Sequence, residues 1–196
     1  MKHLNVKEKE KLVFEKMKKT SGVLSSEFHY KNAIAAPKLK KIVLNVGTGT
    51  AIKKDKNKNE LIADRLAKIT GQKPAMRGAK KSIASFKIRQ GDPIGIVATL
   101  RGKRMYAFLE KLINVALPRT KDFRGINRKA VDSIGNLTIG IKEHTIFPET
   151  ADEDIKDVFG LAITIVSTAK NQKEGFTFYE LLGVPFKKED EKKPRS

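Results

Sequence analysis

The fold class is decided by residues 82–101, which read SIASFKIRQGDPIGIVATLR. In residues 82–89 and again in residues 94–101, apolar side chains alternate with polar or small ones, which is the period of a strand with one covered face. Residues 90–93 (QGDP) separate the two runs and are typical of a turn. This pattern predicts a β-hairpin, and strands joined by a hairpin are antiparallel.

Outside the hairpin, the sequence predicts three further strands and three well-defined helices. The strands are expected at residues 40–46, 136–141 and 161–168, and the helices at residues 59–70, 103–117 and 173–182. In the first of these helices Ile62, Leu66 and Ile69 share one face, and Gly71 stands where a C-cap glycine belongs. We therefore predict an α+β fold, with an antiparallel sheet, helices on one face and the other face left open to bind a partner.

The two ends differ in character from the middle of the chain. Residues 6–19 are helix-prone but so charged that they need a partner surface, and a further helix is predicted over residues 24–36. Residues 187–196 (KKEDEKKPRS) have the low-complexity, charged composition of a disordered tail. We expect a charged N-terminal helical extension over residues 1–26 and a single α+β domain over residues 27–186.

The charge of the chain points to a polyanionic partner. It carries 41 basic and 22 acidic side chains, a formal net charge of +19. Residues 1–129 hold 32 basic and 10 acidic side chains, whereas residues 130–186 hold 4 and 9. Lysine outnumbers arginine, which suits phosphate neutralisation, although a lysine-rich codon usage explains the same bias. The first two thirds are therefore expected to bind the polyanion.

Several classes of function are disfavoured by what the sequence lacks. It contains no cysteine, which excludes a disulfide framework, a thiolate zinc site and a cysteine nucleophile. We find no secretory signal pattern, and no stretch approaches the run of about 18 apolar residues that a membrane span needs. The three histidines have no metal-ligand spacing, and no Ser-His-Asp order has supporting context. We expect no enzyme activity, no cofactor, no metal and no membrane association.

Three weaker patterns leave alternatives open. Residues 47–49 (GTG) follow a strand but lack the Walker and dinucleotide spacings, which favours a turn that an RNA backbone approaches or a plain structural turn. Glu149 and residues 152–154 could hold Mg²⁺, but such clusters are more often solvated loops. The aromatic rings of Phe86 and of residues 176–179 are expected in the core rather than against bases. A basic RNA-processing enzyme and a free-standing RNA chaperone are the rival functions.

Residues 71–91 (GQKPAMRGAKKSIASFKIRQG) are the most informative stretch, because they hold six basic side chains and no acidic one. Small residues between the charges let an RNA backbone come close, and the lysines and arginines release counterions on binding. A solvated hairpin is the alternative. The stretch therefore favours RNA binding.

This same stretch resembles the ribosomal L-five family in its bacterial form. The resembling blocks are KIVLNVG at 41–47, GQKP at 71–74, KKSIASFKIRQGDPIG at 80–95, VATLRG at 97–102, KDFRG at 121–125, IFPE at 146–149 and GLAITI at 160–165. The resemblance covers roughly residues 28–186. It implies a non-enzymatic constituent of the large subunit of cytoplasmic ribosomes, an α+β domain whose concave sheet face takes 5S rRNA and attaches it in the central protuberance.

The resemblance also implies which residues contact each partner. Contacts to 5S or large-subunit rRNA are expected at Asn45, Gln72, Thr99, Arg101, Lys41 and Lys87. Contacts to the tRNA in the peptidyl site (P-site tRNA) are expected at Arg77, Lys80, Lys81 and Ser82. Arg124 and Lys142 are expected in an intersubunit bridge to a ribosomal protein of the small-subunit head. Asn45 could instead cap its turn, and no homo-oligomer is expected.

Overall fold

One antiparallel sheet forms the centre of the computed structural model, which describes residues 16–17, 20–30, 32–49, 58–151 and 158–187. Its strands are β1 (Leu39–Gly47), β2 (Ala75–Gly78), β3 (Pro93–Leu100), β4 (Leu137–Ile141) and β5 (Leu161–Ser167). Across the sheet they run in the order β2-β3-β1-β5-β4, and each neighbouring pair is antiparallel. The strand β1 is therefore central, and β2 and β4 lie at the two edges.

Alternation along the strands gives the sheet one buried and one open face. On β1, Ile42, Leu44 and Val46 are at most 1% exposed, whereas Asn45 between them is exposed. The strands on either side repeat this pattern, with the buried residues Ile96, Ala98, Leu100, Ile163 and Ile165. This confirms the predicted α+β fold with an antiparallel sheet.

Helices cover the buried face. They are α1 (residues 20–28), α2 (Lys58–Thr70), α3 (Gly102–Lys111) and α4 (Gln172–Leu182), and α3 continues as a π-helical turn over Leu112–Ala116. The helix α2 contacts β3, and α3 contacts β1. The helix α4 lies against β5, where the hydroxyl of Tyr179 donates to the Ile165 carbonyl at 2.9 Å. The opposite face of the sheet is left without a helix in the described part of the chain.

The start of α4 is fixed by close packing against the turn before β4. The Gly135 carbonyl accepts hydrogen bonds from the hydroxyls of Ser167 (2.8 Å) and Tyr179 (3.1 Å). Burial raises the pKa of Tyr179 to about 12, because the ionised phenolate would lose its hydration. A side chain at Gly175 would lie 2.6 Å from the Gly135 α-carbon, so the two glycines let the backbones meet.

Lys111 joins three elements of the core. Its Nζ donates to the Ile69 carbonyl at the end of α2 (2.8 Å) and to Glu149 Oε1 (2.6 Å). Glu149 of the predicted acidic cluster therefore has a lysine partner that holds the Pro148–Thr150 turn. The other cluster residues, 152–154, lie outside the described residues, as do residues 188–196 and all of the predicted helix over 6–19 except residues 16 and 17.

Two predicted elements were wrong. The helix expected over residues 24–36 includes residues 20–28 and ends before His29, whose φ of 51° is left-handed; residues 16–17 are also helical, and residues 33–35 form a separate 3-10 turn. The strand expected over residues 82–89 is not a strand, since the edge partner of β3 is β2 and Ala84–Phe86 is a 3-10 turn. The hairpin exists, but residues 79–92 form its loop.

We predict that Gly175→Ala lowers the free energy of unfolding by about 1–3 kcal/mol, because the added methyl group meets backbone that cannot move aside. Urea denaturation followed by circular dichroism measures the change. Gly22→Ala is the matched control, since Gly22 is also helical and has open space around its α-carbon. It should stabilise the protein by up to about 1 kcal/mol. Equal effects of the two substitutions would contradict the packing argument.

Candidate RNA interface

The open face of the sheet carries Asn45 and Thr99 close together. Asn45 pairs with Val97 on β3 and Ala162 on β5, and Thr99 pairs with Val43 on β1. The two side chains are thus diagonal neighbours on one face, about 7–8 Å apart between their α-carbons. Within the described part of the chain no hydrogen bond engages the Asn45 amide, so it does not cap its turn there and is available to a ligand.

Gln72 joins this pair through a direct hydrogen bond. It follows α2 immediately after Gly71, whose φ of 68° turns the chain back toward the sheet. The side-chain Nε2 of Gln72 donates to the Thr99 carbonyl at 2.9 Å, and the Thr70 hydroxyl contacts the Gln72 carbonyl at 3.1 Å. The Gln72 amide oxygen and the Thr99 hydroxyl are then positioned to bond a ribose or phosphate group.

Two cations stand at one end of this polar group. Arg101 is the exposed N-cap residue of α3, one position beyond the Ile42–Leu100 pair. Continuing that antiparallel register places Arg101 opposite Lys41, which lies on the open side of β1. An exposed arginine can hold a phosphate with two parallel N–H donors. The structure therefore brings Lys41 and Arg101 to the same end of the sheet as Thr99.

Arg77 lies at the other end of the open face. It is in β2, directly opposite Gly95, which in turn pairs with Gly47 of β1. Residues directly opposite each other share a face, so Arg77 belongs with Asn45 rather than with the loop that follows it. Gly95 and Gly47, next to Arg77, leave that part of the open face without side chains, so a sugar-phosphate backbone can come close to the sheet there.

The remaining basic residues predicted near β2 and β3 lie in the loop of residues 79–92. Lys80 and Lys81 are exposed, and the Ser82 hydroxyl accepts a hydrogen bond from the Gln90 N–H at 3.0 Å, so Ser82 also holds the loop. Lys87, predicted to contact rRNA, is exposed with a left-handed φ of 50° near the tip. Lys87 therefore belongs to the loop and not to a strand of the sheet.

Arg124 and Lys142 both line a separate groove. This groove has a volume of about 830 Å³ and lies between β4, an edge of the sheet, and the loop of residues 119–127. Ile126 and Ile139 line it as apolar residues, and both predicted bridge residues line it as exposed cations. An edge strand beside an apolar, basic groove is a surface that a partner protein can contact.

Nothing in the described residues forms a catalytic or metal-binding group. His144 is buried, its ring stacks on Phe159 with centroids 4.1 Å apart, and its Nδ1 accepts from the Phe159 N–H, so it serves the core. The described residues contain no group of three or more side chains that could hold a metal ion. None of their helices is long and apolar enough to cross a membrane.

One expectation about the aromatic residues was wrong. Phe178 and Tyr179 are fully buried, and Phe176 is partly buried against Phe186, as predicted for core residues. Phe86 is instead 58% exposed in the loop of residues 79–92. The sequence signal that could have revealed this is the density of charge around Phe86, because a covered strand does not carry four cations within ten residues.

Comparisons with known proteins agree over most of the chain. A family model described as Ribosomal protein L5 matches residues 32–89, and a model of the C-terminal part of that family matches residues 93–186. A protein of Desulfatibacillum aliphaticivorans named Large ribosomal subunit protein uL5 is 53% identical over 174 residues, 89% of this chain and 97% of the relative. Proteins of the same name from Halothermothrix orenii and Geotalea uraniireducens are 48% and 51% identical, covering 83% and 84% of this chain and 90% and 91% of the relatives.

We predict that Asn45→Val leaves the free energy of unfolding unchanged or raises it by up to about 1 kcal/mol, because valine favours strands and the Asn45 side chain bonds to none of the described residues. Gln72→Leu should lower it by about 0.5–1.5 kcal/mol, since the bond to the Thr99 carbonyl is removed. Thermal and urea unfolding measure both changes. A clear loss of stability in Asn45→Val would mean that Asn45 serves the fold rather than a ligand.

Proposed function

The chain belongs to the ribosomal protein L5 family, and on that premise we propose that its open sheet face binds 5S rRNA. As a member of this family it is an rRNA-binding structural constituent of the large subunit of the cytoplasmic ribosome and not an enzyme. In the proposal, residues 27–186 act as one binding domain that attaches 5S rRNA in the central protuberance. Most of the N-terminal extension predicted over residues 1–26, and of the tail predicted over residues 187–196, lies outside the described residues.

The 5S rRNA proposal is supported by the polar group on the open face. Asn45, Gln72 and Thr99 offer amide and hydroxyl groups that can bond 2′-hydroxyls and phosphate oxygens, which is how proteins recognise RNA by its shape. Lys41 and Arg101 supply positive charge at one end of this group, and Arg77 supplies it at the other. Phosphate neutralisation then gives most of the affinity, and the polar group selects the RNA.

A second contact, to the tRNA in the peptidyl site, is proposed for the loop of residues 79–92. Lys80 and Lys81 are exposed there, in the loop that joins the end of β2 to the start of β3. Asn45 and Thr99 lie farther along the sheet, toward the other end of β3. This separation allows one RNA to occupy the sheet while another contacts the loop. Arg77 was predicted among the tRNA contacts, but its position on the open face suits the 5S rRNA contact equally well.

A third contact, to a protein of the small-subunit head, is proposed for the groove beside β4. This groove lies at the opposite edge of the sheet from β2, so a protein bound there does not compete with the loop of residues 79–92. Arg124 and Lys142 would meet acidic groups of the partner. Such contacts at a rim act mainly on association rate and orientation.

For the 5S rRNA contact, we predict that Arg101→Ala weakens binding of 5S rRNA by about 1–3 kcal/mol, or about 5- to 150-fold, because a bidentate phosphate contact is lost. Lys80→Ala should weaken binding of tRNA and leave 5S rRNA affinity within about twofold. Filter binding of both RNAs at a fixed, physiological salt concentration measures these changes. The substitution Lys173→Ala, at an exposed position of α4 on the covered side of the molecule, is the control.

The result that would contradict this placement is an unchanged 5S rRNA affinity in Arg101→Ala. Equal losses in Arg101→Ala, Lys80→Ala and Lys173→Ala would show that only total charge matters, and the separate sites would then be wrong.

For the bridge, we predict that Arg124→Glu with Lys142→Glu slows association of the two ribosomal subunits severalfold, because the charge facing the small subunit is reversed. Light scattering after mixing subunits reconstituted with each variant measures the rate. Lys170→Glu with Lys173→Glu, two exposed positions away from the groove, changes the charge by the same amount and is the control. Normal association in the double variant, with normal incorporation into the large subunit, would contradict the bridge.

A further inference from the structure

The loop of residues 79–92 presents apolar side chains to solvent beside its charges. Phe86 is 58% exposed and Ile83 is 45% exposed. Phe86 makes no ring contact within the described part of the chain. Single exposed apolar residues are common on protein surfaces, but two large ones three residues apart on one loop offer a patch whose burial by a partner is worth about 1.5–3 kcal/mol per side chain. The loop therefore carries a docking feature that phosphate neutralisation does not explain.

Backbone hydrogen bonds keep this loop in one shape. At its base, the Ala79 N–H donates to the Asp92 carbonyl at 2.8 Å, and the Gly91 N–H donates to the Ala79 carbonyl at 3.0 Å. Nearer the tip, Ile83 and Ile88 exchange two bonds of 2.9 and 3.2 Å. Because these hydrogen bonds already order the loop, it loses less conformational entropy when it binds a partner.

The turn at the tip directs Phe86 away from the core. The N–H groups of Phe86 and Lys87 donate to the carbonyls of Ile83 (3.2 Å) and Ala84 (3.0 Å), which closes a tight 3-10 turn. Lys87 then takes a left-handed φ of 50° and sends the chain back toward β3. The ring is thus held out by the backbone geometry and is not exposed by disorder of the loop.

The charges around the ring define what can cover it. Lys80, Lys81, Lys87 and Arg89 are all exposed in the same loop. Its one carboxylate, Asp92, is half-buried and accepts a hydrogen bond from the Arg89 N–H at 2.7 Å. A partner must therefore offer a flat apolar surface together with negative charge. A nucleic-acid base with its flanking phosphates has both properties, and base stacking on aromatic rings in basic grooves is a general mode of RNA binding.

We infer that Phe86, supported by Ile83, stacks on a base left uncovered in an RNA loop while the neighbouring lysines neutralise the phosphates beside it. This inference rests on the proposed function and adds to it a stacking contact at a residue that the family resemblance did not single out. The shared chemistry is an unstacked base, which both tRNA and 5S rRNA contain in their loops. The experiment separates these two sources.

The first test compares the affinities of Phe86→Ala and the unchanged protein for tRNA, 5S rRNA and a blunt RNA duplex. Phe86→Ala should weaken binding to one of the two loop-containing RNAs by about 5- to 150-fold and leave the duplex unaffected. The slope of affinity against salt concentration should not change, because no phosphate contact is removed. Ile134→Ala is the matched control, since Ile134 is 60% exposed in a different turn and should leave all three affinities unchanged.

The second test reads stacking directly. The chain contains no tryptophan, so Phe86→Trp places one indole at the loop tip and Ile134→Trp places one at the control position. The indole at position 86 should be quenched when the RNA identified in the first test binds, and affinity should be kept or increased. The indole at position 134 should keep its emission. Thermal unfolding of each variant checks that the fold is retained.

The outcomes distinguish this inference from the proposed function. If the unchanged protein selects 5S rRNA, and Phe86→Ala binds every RNA with an affinity within twofold of that of the unchanged protein, the stacking contact is wrong and the proposed function stands. The stacking contact is also wrong if the indole at position 86 is not quenched by RNA. If Phe86→Ala binds RNA normally but fails to enter the large subunit, the partner of Phe86 is a protein and the stacking contact is again wrong. If the unchanged protein binds no RNA selectively, the proposed function itself fails.

Discussion

The pairing of β1 with both β3 and β5 is the constraint on which the other features depend. It fixes Ile42, Leu44 and Val46 in the core and leaves Asn45 on the open side. A slip of one residue would exchange these two sets, and the apolar cost of that exchange makes the register strongly specified. Because the register is fixed, the strand residues Asn45 and Thr99 hold their positions on the open face, and Gln72 is held beside them by its hydrogen bond to the Thr99 carbonyl.

The two faces of the sheet have different roles: the helices on one face bury the core, and the open face with its basic ends is the proposed RNA-binding surface. The core side is closed by α2, α3 and α4, with Lys111 and Tyr179 as polar links between elements. The open side carries small and polar residues, and glycines pair where β1 ends and β3 begins. Basic side chains stand around its ends and on the loop of residues 79–92. Most of the buried residues that stabilise the fold are therefore not the residues that our account places against RNA.

The sequence predicted those parts in which one local pattern dominates. Ile62, Leu66 and Ile69 placed α2 within one residue of its observed start, and the apolar runs of β1, β3 and β5 were visible for the same reason. The edge strand β2 was missed because its four residues form a strand only through pairing with β3. The end of α1 was missed because His29 adopts a left-handed φ that no glycine marked. For the site, the resemblance named Asn45, Gln72 and Thr99, but only the strand register and the hydrogen bond of Gln72 show that they adjoin. Phe86 was predicted in the core because an alternating pattern does not show whether a core covers the apolar side of a segment.

Competition binding across a salt series tests the central claim most directly, which is that the open sheet face recognises 5S rRNA by shape and not by charge alone. The purified full chain is titrated with labelled 5S rRNA against unlabelled 5S rRNA, tRNA and an unrelated RNA duplex. Our account predicts a preference for 5S rRNA of about a thousandfold over the duplex that persists at physiological salt. Equal and steeply salt-dependent binding of all three RNAs would contradict it and would indicate a general RNA chaperone.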